Sequence, residues 1–412
     1  MVDLALSSDQ QDIVDQARAV ARRCLAPRAT AHDRTAAFPE ENIADLHEAG
    51  LLGLLVPGRY GGTDADLTAW GLAVAELAEA CGSTALIFAM HSGAARLLAA
   101  DAATNPVAAR VLTEICADGR LLSWGFSEPG TGGNILNPQL RATPDGESVR
   151  LEGTKAFCTG AGHADYYVIN AHSGETEFRR SQTMALLPAG QEGLTVKETW
   201  DAMGMRANSA NTLLLNCRIP EGNCVGGPGG GMPLLTHALP ALILGLAAAS
   251  LGIARAAQTF ANHHVTHRTL APTGRPLTAF QGVRLHVADM ATTVHTARLS
   301  LLHGAWTASN DRLEALGALN MTKYVCNRAA ITVADTAMQV TGGHGFLRSN
   351  ALERHYRDAR AGAVMGANLD ALRDMIGKAA LGLDPRGDDT VTAPAATTAS
   401  NTPTASTGEN RP

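Results

Sequence analysis

Trp124-Gly125-Phe126-Ser127-Glu128-Pro129-Gly130-Thr131-Gly132-Gly133-Asn134 divides the chain into two textures. Upstream the apolar residues recur at helical spacing, and downstream they come in short alternating runs. Four glycines and a proline in these eleven residues rule out a regular helix or strand across them and predict an exposed turn.

Working back toward the N-terminus, Ser7 followed by Gln10 makes a capping box, and Ile13, Val14, Ala17, Ala21, Cys24 and Leu25 then share one helix face. Helical patterns recur over 39–49, 67–80 and 84–100, separated by the turn-rich PGRYGGTDAD at 57–66 and by Cys81-Gly82-Ser83. Working forward, Ser148-Val149-Arg150-Leu151-Glu152, Tyr166-Tyr167-Val168-Ile169 and Thr212-Leu213-Leu214-Leu215 read as strands bounded by Gly, Asn, Asp and Pro. A glycine-rich hinge at Gly226-Gly227-Pro228-Gly229-Gly230-Gly231 closes that region, and long helical segments follow at 234–264, 279–309, 313–341 and 369–381.

The expected fold class is therefore α+β: an N-terminal helical domain (1–120), a central antiparallel β domain (121–230) and a C-terminal four-helix bundle (231–382). The remaining 383–412 is rich in Thr, Ala, Pro, Ser and Asn without periodicity, and is expected to stay disordered because it cannot bury enough apolar surface.

A chain of 412 residues with 45% hydrophobic content can bury a large core. Its net charge is -6, and no run of Lys or Arg could neutralise successive phosphates, so nucleic acid is not an expected partner. Seven scattered cysteines without a CxxC pair point to a reducing cytoplasm and to no zinc site. The N-terminus has no basic region ahead of an apolar stretch, so no secretion signal is expected. The apolar run 238–254 is shorter than the roughly 20 residues a bilayer crossing needs and contains a proline, so it reads as a buried core helix rather than a membrane anchor.

In the SEPGTGGN turn, a hydroxyl and bare backbone N–H groups can donate to an electron-poor ring or an anion. Gly153-Thr154-Lys155-Ala156-Phe157-Cys158-Thr159-Gly160 adds an aromatic face and a second hydroxyl downstream. Then come Met203-Gly204-Met205-Arg206-Ala207-Asn208-Ser209, Cys217-Arg218-Ile219-Pro220-Glu221-Gly222-Asn223, Gln281 ahead of Gly282-Val283-Arg284, Gln339-Val340-Thr341-Gly342-Gly343-His344-Gly345-Phe346, and Glu353-Arg354-His355-Tyr356-Arg357-Asp358-Ala359-Arg360. In this order the blocks cover the chain to about residue 382 and resemble the acyl-CoA dehydrogenase superfamily.

The resemblance implies FAD as cofactor and an acyl thioester, linked to CoA or to an acyl carrier protein, as substrate. It implies flavin contacts from Trp124, Phe126, Ser127, Gly132, Gly133, Phe157, Thr159 and Asn368. It also implies that Gln281 binds the cofactor and that Arg268 and the turn at Gln339, Gly342 and Gly343 reach the FAD of a neighbouring subunit, so the protein is expected to be a homodimer or homotetramer. Arg268-Thr269-Leu270-Ala271-Pro272-Thr273-Gly274-Arg275 departs from the family pattern by about two extra residues and a missing phenylalanine. Glu353 to Arg360 carries alternating charge at helical spacing and reads as a salt-bridge network that pins its segment.

Dehydrogenation of an acyl thioester needs a carboxylate to accept the α-proton near neutral pH. By resemblance, one family solution places that glutamate where Gly366 stands, in Ala361-Gly362-Ala363-Val364-Met365-Gly366-Ala367-Asn368-Leu369-Asp370. The other places it where Leu242 stands, in Leu239-Pro240-Ala241-Leu242-Ile243. Neither residue accepts a proton. His91, in Phe88-Ala89-Met90-His91-Ser92, and Asp370 are the substitute catalytic candidates, with Asn208, Ser209 and His344 behind them. Three functions stay open: an acyl-thioester oxidoreductase with an unusual base, a flavin monooxygenase or oxidase that needs no such base, and a flavin-binding protein without turnover.

Overall fold

The computed structural model describes residues 5–131, 136–174, 181–310 and 312–384. The proposed tail beyond 384 lies outside the described residues, as do Gly132 and Gly133.

The capping box at the N-terminus forms as its spacing predicts: the Gln10 backbone N–H donates to Ser7 Oγ at 3.2 Å, and the Ser7 N–H donates to Gln10 Oε1 at 2.9 Å. It opens α1 (Ser8–Val20), which runs through a π turn into α2 (Ala26–Thr35), followed by α3 (Glu40–Glu48). The Asp66 carboxylate accepts from the N–H groups of Thr68 and Ala69 to start α4 (Leu67–Ala80). After α5 (Gly82–Ala99), Asn105 caps α6 (Pro106–Asp118) in the same way.

The central sheet holds β1 (Leu122–Gly125), β2 (Arg141–Asp145), β3 (Ser148–Cys158), β4 (Tyr166–His172), β5 (Gln182–Pro188), β6 (Leu194–Lys197), β7 (Asn211–Pro220) and β8 (Cys224–Val225). Its order is β6-β7-β3-β2-β4-β5-β8, with β1 on β4. Most neighbours are antiparallel as expected, but β1 pairs parallel with β4, and β2 touches β4 in parallel at Arg141 and His172. No tight hairpin joins β1 to β2, so nothing obliges β1 to reverse against its sequence neighbour.

The C-terminal region comprises α7 (Gly231–His267), a short hairpin of β9 (Thr269–Leu270) and β10 (Arg275–Pro276), then α8 (Gln281–Asn310), α9 (Arg312–Thr341), α10 (Ala351–Val364) and α11 (Leu369–Ala380). The hairpin takes up the residues that follow Arg268. Helix α7 is the axis of the molecule, packing on α8, α9 and α10 of its own domain and on α4 and α5 of the N-terminal one. At 37 residues α7 is longer than the apolar run suggested and is long and apolar enough to cross a membrane, but its apolar residues Ala238, Leu244, Ala247, Ala248 and Leu251 are buried by that double packing, as in a core helix. Gly252 permits the approach to α4, since a Cβ there would meet the Ala75 carbonyl oxygen at 2.3 Å. All seven cysteines are free thiols.

Candidate active site

The turn after β1 and the end of β3 lie side by side, joined where the Ala156 N–H donates to the Ser127 carbonyl at 2.8 Å. Register in β3 shifts between Lys155 and Cys158, and within that irregularity Phe157 takes a left-handed backbone with φ 56°. A β-bulge of this kind re-aims a side chain, and the Phe157 ring ends 69% exposed. An aromatic residue held out of the core on a costly backbone is a surface built to be covered.

Beside it, Thr159 is 9% exposed and accepts a long hydrogen bond from Asn208 Nδ2 at 3.4 Å, while the Gly160 N–H donates to the Asn208 carbonyl at 3.0 Å. That contact leaves the Thr159 hydroxyl hydrogen available to a neighbour. Ser127 is half-buried at the start of the turn. These features fit the edge and face of a flat, polar-rimmed ring. Trp124 and Phe126 are instead packed inward, edge to face at 4.6 Å, and the Trp124 ring occupies the space a Cβ on Gly93 would need. They support the site from beneath.

The 203–209 turn that brings Asn208 to Thr159 is fixed from α10. The Met205 N–H donates to Asp358 Oδ1 at 2.6 Å, and burial pushes the Asp358 carboxyl up to about 6. Arg357 forms a bidentate pair with Asp33 on α2, at 2.9 and 2.6 Å, and pairs with Glu353 one turn away, so the ERHYRDAR helix joins the N-terminal domain to the β domain. The alternating charges thus form the pinning network their spacing suggests.

Gln339, Gly342 and Gly343 meet in one cleft of about 750 Å³ with Met338, Phe346 and Tyr356. The Phe346 ring is 76% exposed. Arg268 caps the end of α7, exposed, and Gln281 is the first residue of α8; neither lines that cleft. His344 stacks on His264 at 4.8 Å.

His91 does not stand as a base candidate. It is fully buried on α5; the Leu122 N–H donates to its Nδ1 at 3.0 Å, so the ring proton sits on Nε2 and is donated to the Leu52 carbonyl at 3.1 Å. Burial pulls its pKa down to about 4, and neither nitrogen is free to take a proton. Asp370 lies in the first turn of α11, its carboxylate 89% exposed and 3.4 Å from Arg373. The Asn368 side chain caps the same helix, accepting from the Ala371 N–H at 2.8 Å, rather than being free for a cofactor.

Gly366 adopts φ 60°, and a Cβ there would come within 2.9 Å of Leu246 Cδ1, one turn along α7 from the half-buried Leu242. The two positions singled out for a glutamate thus belong to one neighbourhood, lined by Leu246 and by the Lys323 ammonium, which lies 3.8 Å from where a Cβ on Gly366 would stand. Lys323 on α9, not among the residues expected here, is 1% exposed and donates to the carbonyls of Met365 at 3.1 Å and Ala367 at 2.7 Å, on either side of Gly366. Burial pulls its pKa down to about 8. A lone lysine inside a helical repeat gives no signal of its own before the helix is packed.

A helical, a β and a helical domain thus place an exposed aromatic and two hydroxyl-bearing segments beside a β-sheet bulge, a surface suited to a flat ring cofactor. Residues 7–118 match the family model for the acyl-CoA dehydrogenase N-terminal domain, 123–217 that for the middle domain and 229–381 that for the C-terminal domain. The chain is 30% identical to "Probable acyl-CoA dehydrogenase YngJ" of Bacillus subtilis (strain 168), over 87% of this chain and 94% of that protein. It is also 30% identical to the mitochondrial short-chain specific acyl-CoA dehydrogenase of Sus scrofa, over 83% of each. Among solved structures, butyryl-CoA dehydrogenase from Megasphaera elsdenii superposes with a TM-score of 0.87 at 26% identity, covering 92% of this chain and 100% of that one. The chain belongs to the acyl-CoA dehydrogenase family, and its cofactor is FAD.

Proposed function

We propose that this protein is an FAD-dependent oxidoreductase acting on an acyl thioester carried by CoA or a carrier protein, in specialised metabolism, with a proton acceptor other than the family's glutamate. The observation that carries this reading is a contrast within one molecule. The surfaces suited to a flavin are present at Phe157, Thr159 and Ser127, while Gly366, Leu242 and Leu246 leave the expected position of the base without a carboxylate.

FAD supplies a two-electron acceptor when bound. Ser127 and Thr159 would donate to its ring edge, Phe157 would cover its face, and the described part of the glycine-rich turn would approach through backbone groups. With His91 closed off by backbone groups, Asp370, exposed in the first turn of α11, is the carboxylate left among the catalytic candidates. The cleft at Gln339, Gly342 and Gly343 beside the exposed Phe346 supports a second copy of the chain completing the cofactor site, in a homodimer or homotetramer.

A second reading, a monooxygenase or oxidase, is favoured by the lack of a carboxylate side chain at both Gly366 and Leu242, because oxygen chemistry at a reduced flavin needs no α-proton acceptor. Anaerobic mixing of the flavin-loaded protein with acyl-CoA and acyl-carrier thioesters decides between them. Bleaching of the flavin band that is lost in Asp370→Asn supports the first reading. No bleaching by any thioester, with rapid oxygen consumption after chemical reduction, supports the second. Gly366→Glu reports on the position itself: a gain of thioester-driven bleaching identifies it as the vacant site of the base.

A further inference from the structure

The Lys155 side chain has no exposed surface and ends beneath the turn that follows β1. Its Nζ donates to Glu128 Oε1 at 2.5 Å, to Asn170 Oδ1 at 2.8 Å and to the Phe126 carbonyl at 3.4 Å, so all three ammonium hydrogens have acceptors. Glu128, its side chain 3% exposed, also receives the Leu140 N–H on Oε1 at 3.0 Å and the Gln139 N–H on Oε2 at 2.6 Å. All three ammonium hydrogens and three of the four acceptor sites of the carboxylate are taken up by protein groups, and both side chains are shut away from solvent. This ion pair ties together four segments: the 126–131 turn, β3, β4 and the residues leading into β2.

The pair sits next to the surfaces that face the cofactor. Lys155 directly precedes Ala156, whose N–H holds the Ser127 carbonyl, and Phe157, whose left-handed backbone exposes its ring. Glu128 directly follows Ser127. A buried pair is a poor source of net stability, because desolvation offsets most of the attraction, and well-packed apolar replacements are often as stable. What such a pair does supply is directional, fully satisfied hydrogen bonding that admits one arrangement of the segments it joins.

We propose that Lys155 and Glu128 are positioning residues that lock the Phe126–Thr131 turn in register with Phe157 and Thr159, so that the FAD cleft is formed before the cofactor arrives. The clamp restricts the turn's backbone in the cofactor-free protein, and FAD then binds without the entropic cost of ordering it. This inference rests on the flavoprotein reading only for what the turn holds.

The test compares the parent with the double variant Lys155→Met, Glu128→Leu, using hydrogen exchange of the cofactor-free proteins and FAD titration followed by fluorescence and visible absorption. The expected result is a melting transition that remains cooperative, amide exchange in residues 126–131 at least tenfold faster, a Kd for FAD at least tenfold higher, and a bound-flavin band with less vibrational structure. Parent-like exchange in the turn together with a parent-like Kd would overturn the clamp. Should the double variant not fold, Glu128→Gln serves instead, because it keeps the shape but sets an NH2 against the donors around it. A threefold or greater rise in Kd with a spectral change supports the proposal, and unchanged values reject it. Exchange measured without cofactor judges the clamp even if the parent binds no FAD, so the two failures are distinguishable.

Discussion

His91 shows how little a residue type says before its hydrogen bonds are counted. On an apolar helix in a flavoprotein it invites a role in proton transfer, yet both ring nitrogens are engaged by the backbone of Leu52 and Leu122. Its folded pKa of about 4 lies below the ordinary 6.5, so the unfolded chain takes up the proton first. The stability it contributes is whole above pH 6.5 and is lost as pH falls toward 4. His91→Asn should therefore give a shallower acid limb in urea midpoints measured from pH 7 to 4. It should leave the pH profile of flavin reduction unchanged, and a lost pKa in that profile would return His91 to the mechanism. Phe157 belongs to the same scale. Phe157→Gly removes a left-handed strain of about 1 kcal/mol, so the cofactor-free protein should unfold at equal or higher denaturant while its FAD affinity drops.

Lys323 acts on an element, the connection from α10 to α11. Its two hydrogen bonds to the Met365 and Ala367 carbonyls hold the left-handed Gly366 between them. Lys323→Met should destabilise the protein by about 1–3 kcal/mol, since two carbonyls lose their buried donor. Because the folded pKa is pulled from 10.5 down to about 8, the unfolded state holds more protons between those values. This residue's contribution to stability therefore rises with pH across that window. The difference in unfolding free energy between parent and variant, measured at pH 7.5 and pH 9.5, should widen at the higher pH; a constant difference would mean that Lys323 does not titrate there.

At the scale of the whole molecule, Arg357 carries coupling between domains by pairing with Asp33 on α2 while its neighbour Asp358 holds the 203–209 turn. The Arg357 and Asp33 side chains are 21% and 11% exposed, so removal of one partner leaves a largely desolvated charge. Asp33→Asn should cost about 2 kcal/mol in global stability. It should also weaken FAD binding through the displaced Asn208 and Thr159 contact. A stability loss with unchanged FAD affinity would show that the two domains are coupled for folding alone.

Helix periods, the capping box at Ser7 and Gln10, the glycine-rich turn and the order of the blocks were all legible in the amino-acid sequence, and so was the three-part fold. These signals are local: a repeat of 3.6 or 2, a cap three residues from its partner, or a glycine where a turn must bend needs no knowledge of distant residues. The expectation that Gly366 and Leu242 stand where the family places its glutamate came from the same blocks. The fate of His91, the outward placement of Phe157, the clamp of Lys155 on Glu128 and the lysine under Gly366 were decided only by the tertiary structure. Each depends on partners 27 to 44 residues apart in the chain or on a bulge set by cross-strand register. A buried polar group takes its role from whichever acceptors and donors packing brings to it, and no local pattern records them.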